Sequence, residues 1–165
     1  MDCIPEEMSV ERIWEVIDEF GGDFLGRMKF PIEIFKNIRS KVGEDFPTTF
    51  RFGYDEKVHG ERTLEESVAV ARIVEEYGVD ALHISIMTYA SMQYMSASPE
   101  MPTGFNKFPR KVITDVVNIP IISVGRYTPY AAENALLNGC ADFISFGRVF
   151  LADSEITNKV NECKF

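Results

Sequence analysis

The chain carries nearly the same phrase twice, Ile121-Ile122-Ser123-Val124-Gly125-Arg126 and then Phe143-Ile144-Ser145-Phe146-Gly147-Arg148. Each is a short apolar run of β-forming residues that stops at Gly-Arg, and the two stand one strand-plus-helix length apart. Two neighbouring parallel strands then end at one level, each presenting a glycine and an arginine. Glycine lets backbone N–H groups come close to an anion, and arginine adds a planar, permanently charged fork that matches phosphate. In (β/α)8 barrels the phosphate site commonly lies in the loops after the last two strands, beside a helix N-terminus. The repeat points to a phosphate-bearing ligand on the C-terminal rim of a barrel-type sheet. The plainer alternative is that the glycines only end strands while the arginines cap helices or reach water.

The rest of the chain keeps the same alternation. Residues 9–19 read as a helix, with Ser9 as its cap and Val10, Ile13, Trp14 and Ile17 on one face. Gly21-Gly22 stops it. A second helix is expected from about Asp23 to Lys41, with Phe30, Ile34, Phe35 and Ile38 inward and Gly43 at its end. Pro31 should move its true start to Arg27–Phe30 or kink it. Four strand–helix pairs follow: Thr48–Phe52 with Leu64–Tyr77, Ala81–Ile86 with 106–117, Ile119–Val124 with Pro129–Asn138, and Phe143–Phe146 with Ser154–Glu162. Thr63 and Glu66 can form a capping box, Pro129 suits a first helical turn, and Gly78 and Gly139 suit stops. Near-continuous apolar strands between amphipathic helices indicate a buried parallel sheet.

Four strands cannot close a barrel, and 165 residues fall short of the roughly 250 of a complete (β/α)8 fold. An open four-stranded piece leaves apolar edges and an unfilled inner face. The expectation is half of a barrel, or a piece that pairs with another copy or with a partner.

The formal charge of −9 argues against non-specific binding to nucleic acid or anionic membrane. An anionic ligand must then be held by local cations, which sharpens interest in the arginines. Cys3, Cys140 and Cys163 are scattered and odd in number, which fits free thiols in a reducing cytoplasm rather than a disulfide frame or metal site. No apolar run is long enough to span a bilayer, and the start, Met-Asp-Cys-Ile-Pro-Glu-Glu, is acidic rather than the basic opening of a signal peptide. A cytoplasmic chain is expected.

Several segments resemble the old yellow enzyme family, the FMN-dependent NAD(P)H:flavin oxidoreductases. They are Asp18-Glu19-Phe20-Gly21-Gly22-Asp23 with Gly26-Arg27-Met28-Lys29-Phe30-Pro31, Val42-Gly43-Glu44-Asp45-Phe46-Pro47 running into Phe50-Arg51, and the two Gly-Arg runs with Leu151-Ala152-Asp153. Gly60-Glu61-Arg62-Thr63-Leu64-Glu65-Glu66-Ser67 is similar to a segment of the 2,4-dienoyl-CoA reductase and enoate reductase branch. The resemblance implies an α/β fold, the C-terminal half (strands five to eight) of a (β/α)8 TIM barrel, over residues 18–165, with 1–17 an unmatched N-terminal segment. It implies FMN as cofactor, NAD(P)H as reductant and a small-molecule alkene, an enoate or enoyl thioester, as substrate. Arg51 matches the arginine at the flavin pyrimidine edge, and Gly125, Arg126, Gly147 and Arg148 match the cradle of the ribityl phosphate. Tyr89 falls near a loop histidine that assists proton transfer in the dienoyl-CoA reductase branch. Longer relatives of that branch also carry a 4Fe-4S cluster whose ligands this sequence lacks.

The family's substrate-binding pair and remaining flavin contacts belong to the first four strands, so the chain is expected to be cut at both ends and to lack most catalytic residues. Three readings follow. One is an ene-reductase of this family in partial form. Another is a catalytically incompetent half-barrel that self-associates as a homo-oligomer or complements another chain. The third is a different phosphate-binding barrel enzyme, an isomerase or aldolase, against which stands the lack of a lysine inside any expected strand. Arg51 could equally be an ion-paired core arginine. His83, alternating with Ser85, reads as a satisfied core histidine, and His59 as a solvated one. Met87–Gly104, rich in Met and Tyr, suits an apolar substrate lid.

Overall fold

The computed structural model describes residues 18–55, 62–86, 103–104 and 107–162. In chain order the elements are α1 (Phe24–Val42), β1 (Thr49–Gly53), α2 (Leu64–Glu76), β2 (Ala81–Ser85), α3 (Lys107–Thr114), β3 (Ile121–Val124), α4 (Pro129–Leu137), β4 (Phe143–Ser145), α5 (Arg148–Ala152) and α6 (Ile156–Asn161). The helix expected over 9–19 falls almost wholly outside the described residues, as do His59 and nearly all of the expected lid. α5 was not expected: a single turn-and-a-half starts directly at Arg148 before the last helix begins.

Local chemistry explains most boundaries. Asp23 caps α1 by accepting the Gly26 N–H at 2.8 Å, so the helix starts at Phe24, not at Arg27–Phe30, and runs through Pro31. A side chain at Gly26 would put its Cβ 2.2 Å from the Gly21 carbonyl oxygen. Both bonds of the capping box at α2 are present, Glu66 N–H to Thr63 Oγ1 at 3.2 Å and Thr63 N–H to Glu66 Oε2 at 3.4 Å. Pro129 occupies the first turn of α4 behind the Thr128 cap. Gly43, Gly78 and Gly139 follow their helices at positive φ, as expected.

The four strands form one parallel sheet in the order β1-β2-β3-β4. Arg51 lies opposite His83, His83 opposite Ile122, and Ile122 opposite Phe143; the next row towards the C-terminal rim is Gly53, Ser85, Val124 and Ser145. Alternation puts Phe50, Phe52, Leu82, Ile84, Ile121, Ser123 and Ile144 on the opposite face. That face packs on the helices: Leu82, Ile84 and Ile121 are fully buried with Val74 and Ile113. The rows through Arg51 and Ser145 lie on the face away from the helices, and Phe143 there is 58% exposed.

α1 corrects one expectation. Phe35 is buried, edge-on to Phe50 at 5.1 Å, but Phe30, Ile34 and Ile38 are 46, 43 and 37% exposed. Met28 takes the inward role instead. β1 is the edge of the sheet, so the flank of α1 that overhangs this edge has no described strand beneath it.

The N-terminal rim is fastened by aspartates that immediately precede strands. Asp80 donates its N–H to the Thr48 carbonyl and accepts the Thr48 N–H at 2.6 Å. Asp142 does the same with Ile121, at 2.9 and 2.8 Å. The Asp80 pair is reinforced by Arg39 from α1, whose guanidinium donates to Asp80 at 2.6 Å, to Thr48 Oγ1, and to the carbonyls of Phe46 and Gly78. The Thr48 N–H foremost, then Arg39 and the Thr48 hydroxyl, hold the Asp80 carboxyl below its ordinary range against the opposing effect of burial. A carboxyl depressed in the folded state contributes its full stabilisation above its unfolded value, about 4, and loses it as pH falls through the folded value. Asp80→Asn is therefore expected to lower stability at neutral pH by about 1 kcal/mol, allowing for its exposure. In urea unfolding the gap between wild type and variant should close below about pH 4.

Candidate anion site at the C-terminal rim

β3 and β4 are adjacent and parallel, so the turns that leave them, at Gly125-Arg126 and Gly147-Arg148, emerge at the same rim of the sheet. Arg51 is on the face away from the helices and exposed. Its Nη2 lies 3.4 Å from Ser85 Oγ, two residues nearer the C-terminal rim than its register partner His83. The guanidinium thus leans towards the rim that carries both Gly-Arg turns. His83, the middle residue of β2, is half-buried on the same face as Arg51, not in the helix-side core. Tyr89 lies outside the described residues.

The two turns are built differently. Gly147 leads straight into α5, with Phe150 N–H on its carbonyl at 3.0 Å. An added Cβ there would meet nothing within 4 Å, so no packing within the described chain requires glycine, and the backbone stands open to an approaching group. Arg148 is exposed at the start of α5. Gly125-Arg126 is instead closed on itself: Tyr127 N–H returns to the Gly125 carbonyl at 3.0 Å. The Tyr127 ring is buried, its hydroxyl 2.8 Å from that of Ser123.

The end of β1 is held by residues that sequence reading did not single out. Arg62 Nη1 donates to the Gly53 carbonyl at 2.9 Å, Ser67 Oγ to the Tyr54 carbonyl at 2.7 Å, and Tyr54 N–H to the Ser85 carbonyl at 3.1 Å. Glu66, the capping-box acid, also takes Arg27 of α1 at 2.9 Å. The segment Arg62-Thr63-Leu64-Glu65-Glu66-Ser67 is therefore a fastening that ties α2 to the end of the strand bearing Arg51. Its resemblance to a segment of the 2,4-dienoyl-CoA reductase and enoate reductase branch was the available signal; its targets, being carbonyls elsewhere in the chain, were not legible.

An exposed guanidinium and open glycine backbone on one rim suit the anionic tail and polar edge of a flavin nucleotide, and to that extent the residues present fit FMN. Among the described residues no group of three or more His, Cys, Asp or Glu is gathered to hold a metal ion. No helix of the described residues is long and apolar enough to cross a membrane.

The model of the NADH:flavin oxidoreductase / NADH oxidase family matches residues 11–164, reaching into the segment left unmatched above. The chain is 42% identical to the NADH oxidase of Thermoanaerobacter brockii, over 88% of this chain and 23% of that protein. It is 31% identical to the cinnamate reductase of Clostridium sporogenes, over 90% of this chain and 24% of that protein. A 2-naphthoyl-CoA reductase solved with 2-naphthoyl-CoA superposes with a TM-score of 0.82 at 27% identity, over 89% of this chain and 23% of that one. The chain belongs to the NADH:flavin oxidoreductase / NADH oxidase family, and the resemblance to old yellow enzymes is borne out. It spans less than a quarter of the length of these relatives.

The contrast between two glycines is testable. Gly147→Ala should leave stability within about 1 kcal/mol of wild type, whereas Gly26→Ala, driven against the Gly21 carbonyl, should cost about 1–3 kcal/mol. Urea unfolding of both variants checks this.

Proposed function

We propose that this chain is the C-terminal half, strands five to eight, of an FMN-dependent (β/α)8 oxidoreductase that uses NAD(P)H to reduce activated C=C bonds of the enoate or enoyl-thioester class. The observation that carries the reading is the shared rim: Arg51 leans towards the edge at which the Gly125-Arg126 and Gly147-Arg148 turns emerge. Gly125 and Gly147 would offer backbone N–H groups to the ribityl phosphate, with Arg126 and Arg148 supplying charge. Arg51 would sit against the pyrimidine edge, where a fixed cation stabilises negative charge. FMN, when bound, supplies the hydride chemistry. The protein's part here is to orient and to neutralise.

Placement in the second half of the barrel is supported by α1. A helix that precedes an edge strand, half buried on it and half overhanging, is the crossover helix of a βαβ unit whose first strand would pair with the free edge of β1. The exposed row Phe30, Ile34, Ile38 and Val42 is the surface such a unit would cover. The complement is accordingly the first half of the barrel rather than a second copy: a second copy would bring its own α5 and α6 to the slot that α1 already fills. Tyr89 would act as the proton donor to the substrate, by its resemblance in sequence position to the loop histidine of the dienoyl-CoA reductase branch, and the substrate class rests on the similarity to cinnamate and 2-naphthoyl-CoA reductases.

The test is a chimera in which residues 18–162 replace the matching segment of the Thermoanaerobacter brockii NADH oxidase. It should purify with FMN at close to one per chain and reduce cinnamate with NADH or NADPH. Arg51→Met should lower the rate at saturating substrate by about tenfold to a hundredfold, and Gly147→Ala should weaken FMN retention while leaving the stability of the flavin-free protein within about 1 kcal/mol. A folded chimera without flavin, or one indifferent to Arg51→Met, would overturn the proposal.

A further inference from the structure

Ser123 is a fully buried hydroxyl in an otherwise apolar strand, on the face that packs against the helices. Four residues later the chain has left β3, turned at Gly125-Arg126, and returned Tyr127 beneath the turn, where its buried hydroxyl meets that of Ser123 at 2.8 Å. A buried pair of hydroxyls is justified only if each satisfies the other's polarity; removing one leaves the other buried without that bond. The turn is fixed from outside as well. Gly104, buried and at φ +65°, donates its N–H to the Arg126 carbonyl at 2.8 Å. It lies so close to the Tyr127 ring that an added Cβ would stand 3.2 Å from Cε1. Three residues from two stretches of chain thus converge on a two-residue turn.

We infer that Tyr127 is a positioning residue for the phosphate-binding turn, acting through Ser123 on one side and Gly104 on the other to hold Gly125-Arg126 in the form that receives the anion. This rests on the proposed FMN reading. The role does not require Tyr127 to touch the ligand: its hydroxyl meets Ser123 and its ring lies against Gly104. The bond spans the base of the turn, so its loss frees the backbone that presents the N–H groups while leaving β3 and α4 intact.

The test titrates the chimera described above, freed of its flavin, with FMN and, separately, with riboflavin, which lacks the phosphate, following quenching of flavin fluorescence. The unsubstituted chimera should prefer FMN. Tyr127→Phe, which keeps the ring, and Ser123→Ala should each reduce that preference by roughly fivefold to tenfold. The double variant should be no worse than either single one, because both remove the same bond. Amide hydrogen exchange at 125–128 should quicken in all three. An FMN preference unchanged in Tyr127→Phe would overturn the inference while leaving the cofactor reading intact. An unsubstituted chimera that binds neither flavin, or both equally, would overturn the cofactor reading, and the positioning role with it, before any variant is compared.

Discussion

Parallel pairing is the constraint on which the rest of this molecule depends. Because all four strands run the same way and each is joined to the next through a helix, every strand begins at one rim and ends at the other. Chemistry placed at strand ends is therefore gathered without any direct contact between the segments that carry it. The same geometry assigns the two sheet faces. Helices can cover only the side on which the crossovers pass, so Phe52, Leu82, Ile84 and Ile121 are buried there. Arg51, His83 and Ser145 are left on the other side.

The two rims use different physical means. At the N-terminal rim, carboxylates and one arginine close backbone groups that the ladder leaves open: Asp80 with Thr48, Asp142 with Ile121, and Arg39 across four carbonyls and two side chains. These contacts are local fastenings whose effect is stability. At the C-terminal rim the turns themselves are shaped, by Tyr127 beneath Gly125-Arg126 and by α5 behind Gly147. In barrel-type sheets generally the rim at the strand ends carries function and the opposite rim carries stability, and the proposed site follows that division.

The family motif around Arg62 shows how a recurring sequence reduces to a set of bonds. Arg62 and Ser67 hold carbonyls at the end of β1, Thr63 and Glu66 open α2, and Glu66 reaches α1 through Arg27. Changing any one of these residues would loosen the strand that carries Arg51. The exposed apolar row on α1 has a comparable logic: Phe30, Ile34, Ile38 and Val42 lie on the flank of the helix that β1 does not cover, and under the proposed half-barrel reading a further strand would bury them.

What the amino-acid order determined by itself was local. The capping box at Thr63 and Glu66, Pro129 in a first turn, glycines after helices, and the alternation that puts His83 and Ser85 on one face all follow from short-range periodicity and backbone preference. The duplicated Gly-Arg runs, one unit apart, were enough to predict two strand ends on a shared rim. The tertiary structure alone decided the pairs that are distant in sequence: Arg39 with Asp80, Gly104 with Arg126 and Tyr127, and Arg62 with Gly53. It also decided which apolar residues of α1 are inside, because the periodicity of a helix marks an apolar face without saying how much of that face has a neighbour. Burial depends on what lies across the interface, and spacing along one chain does not contain that information.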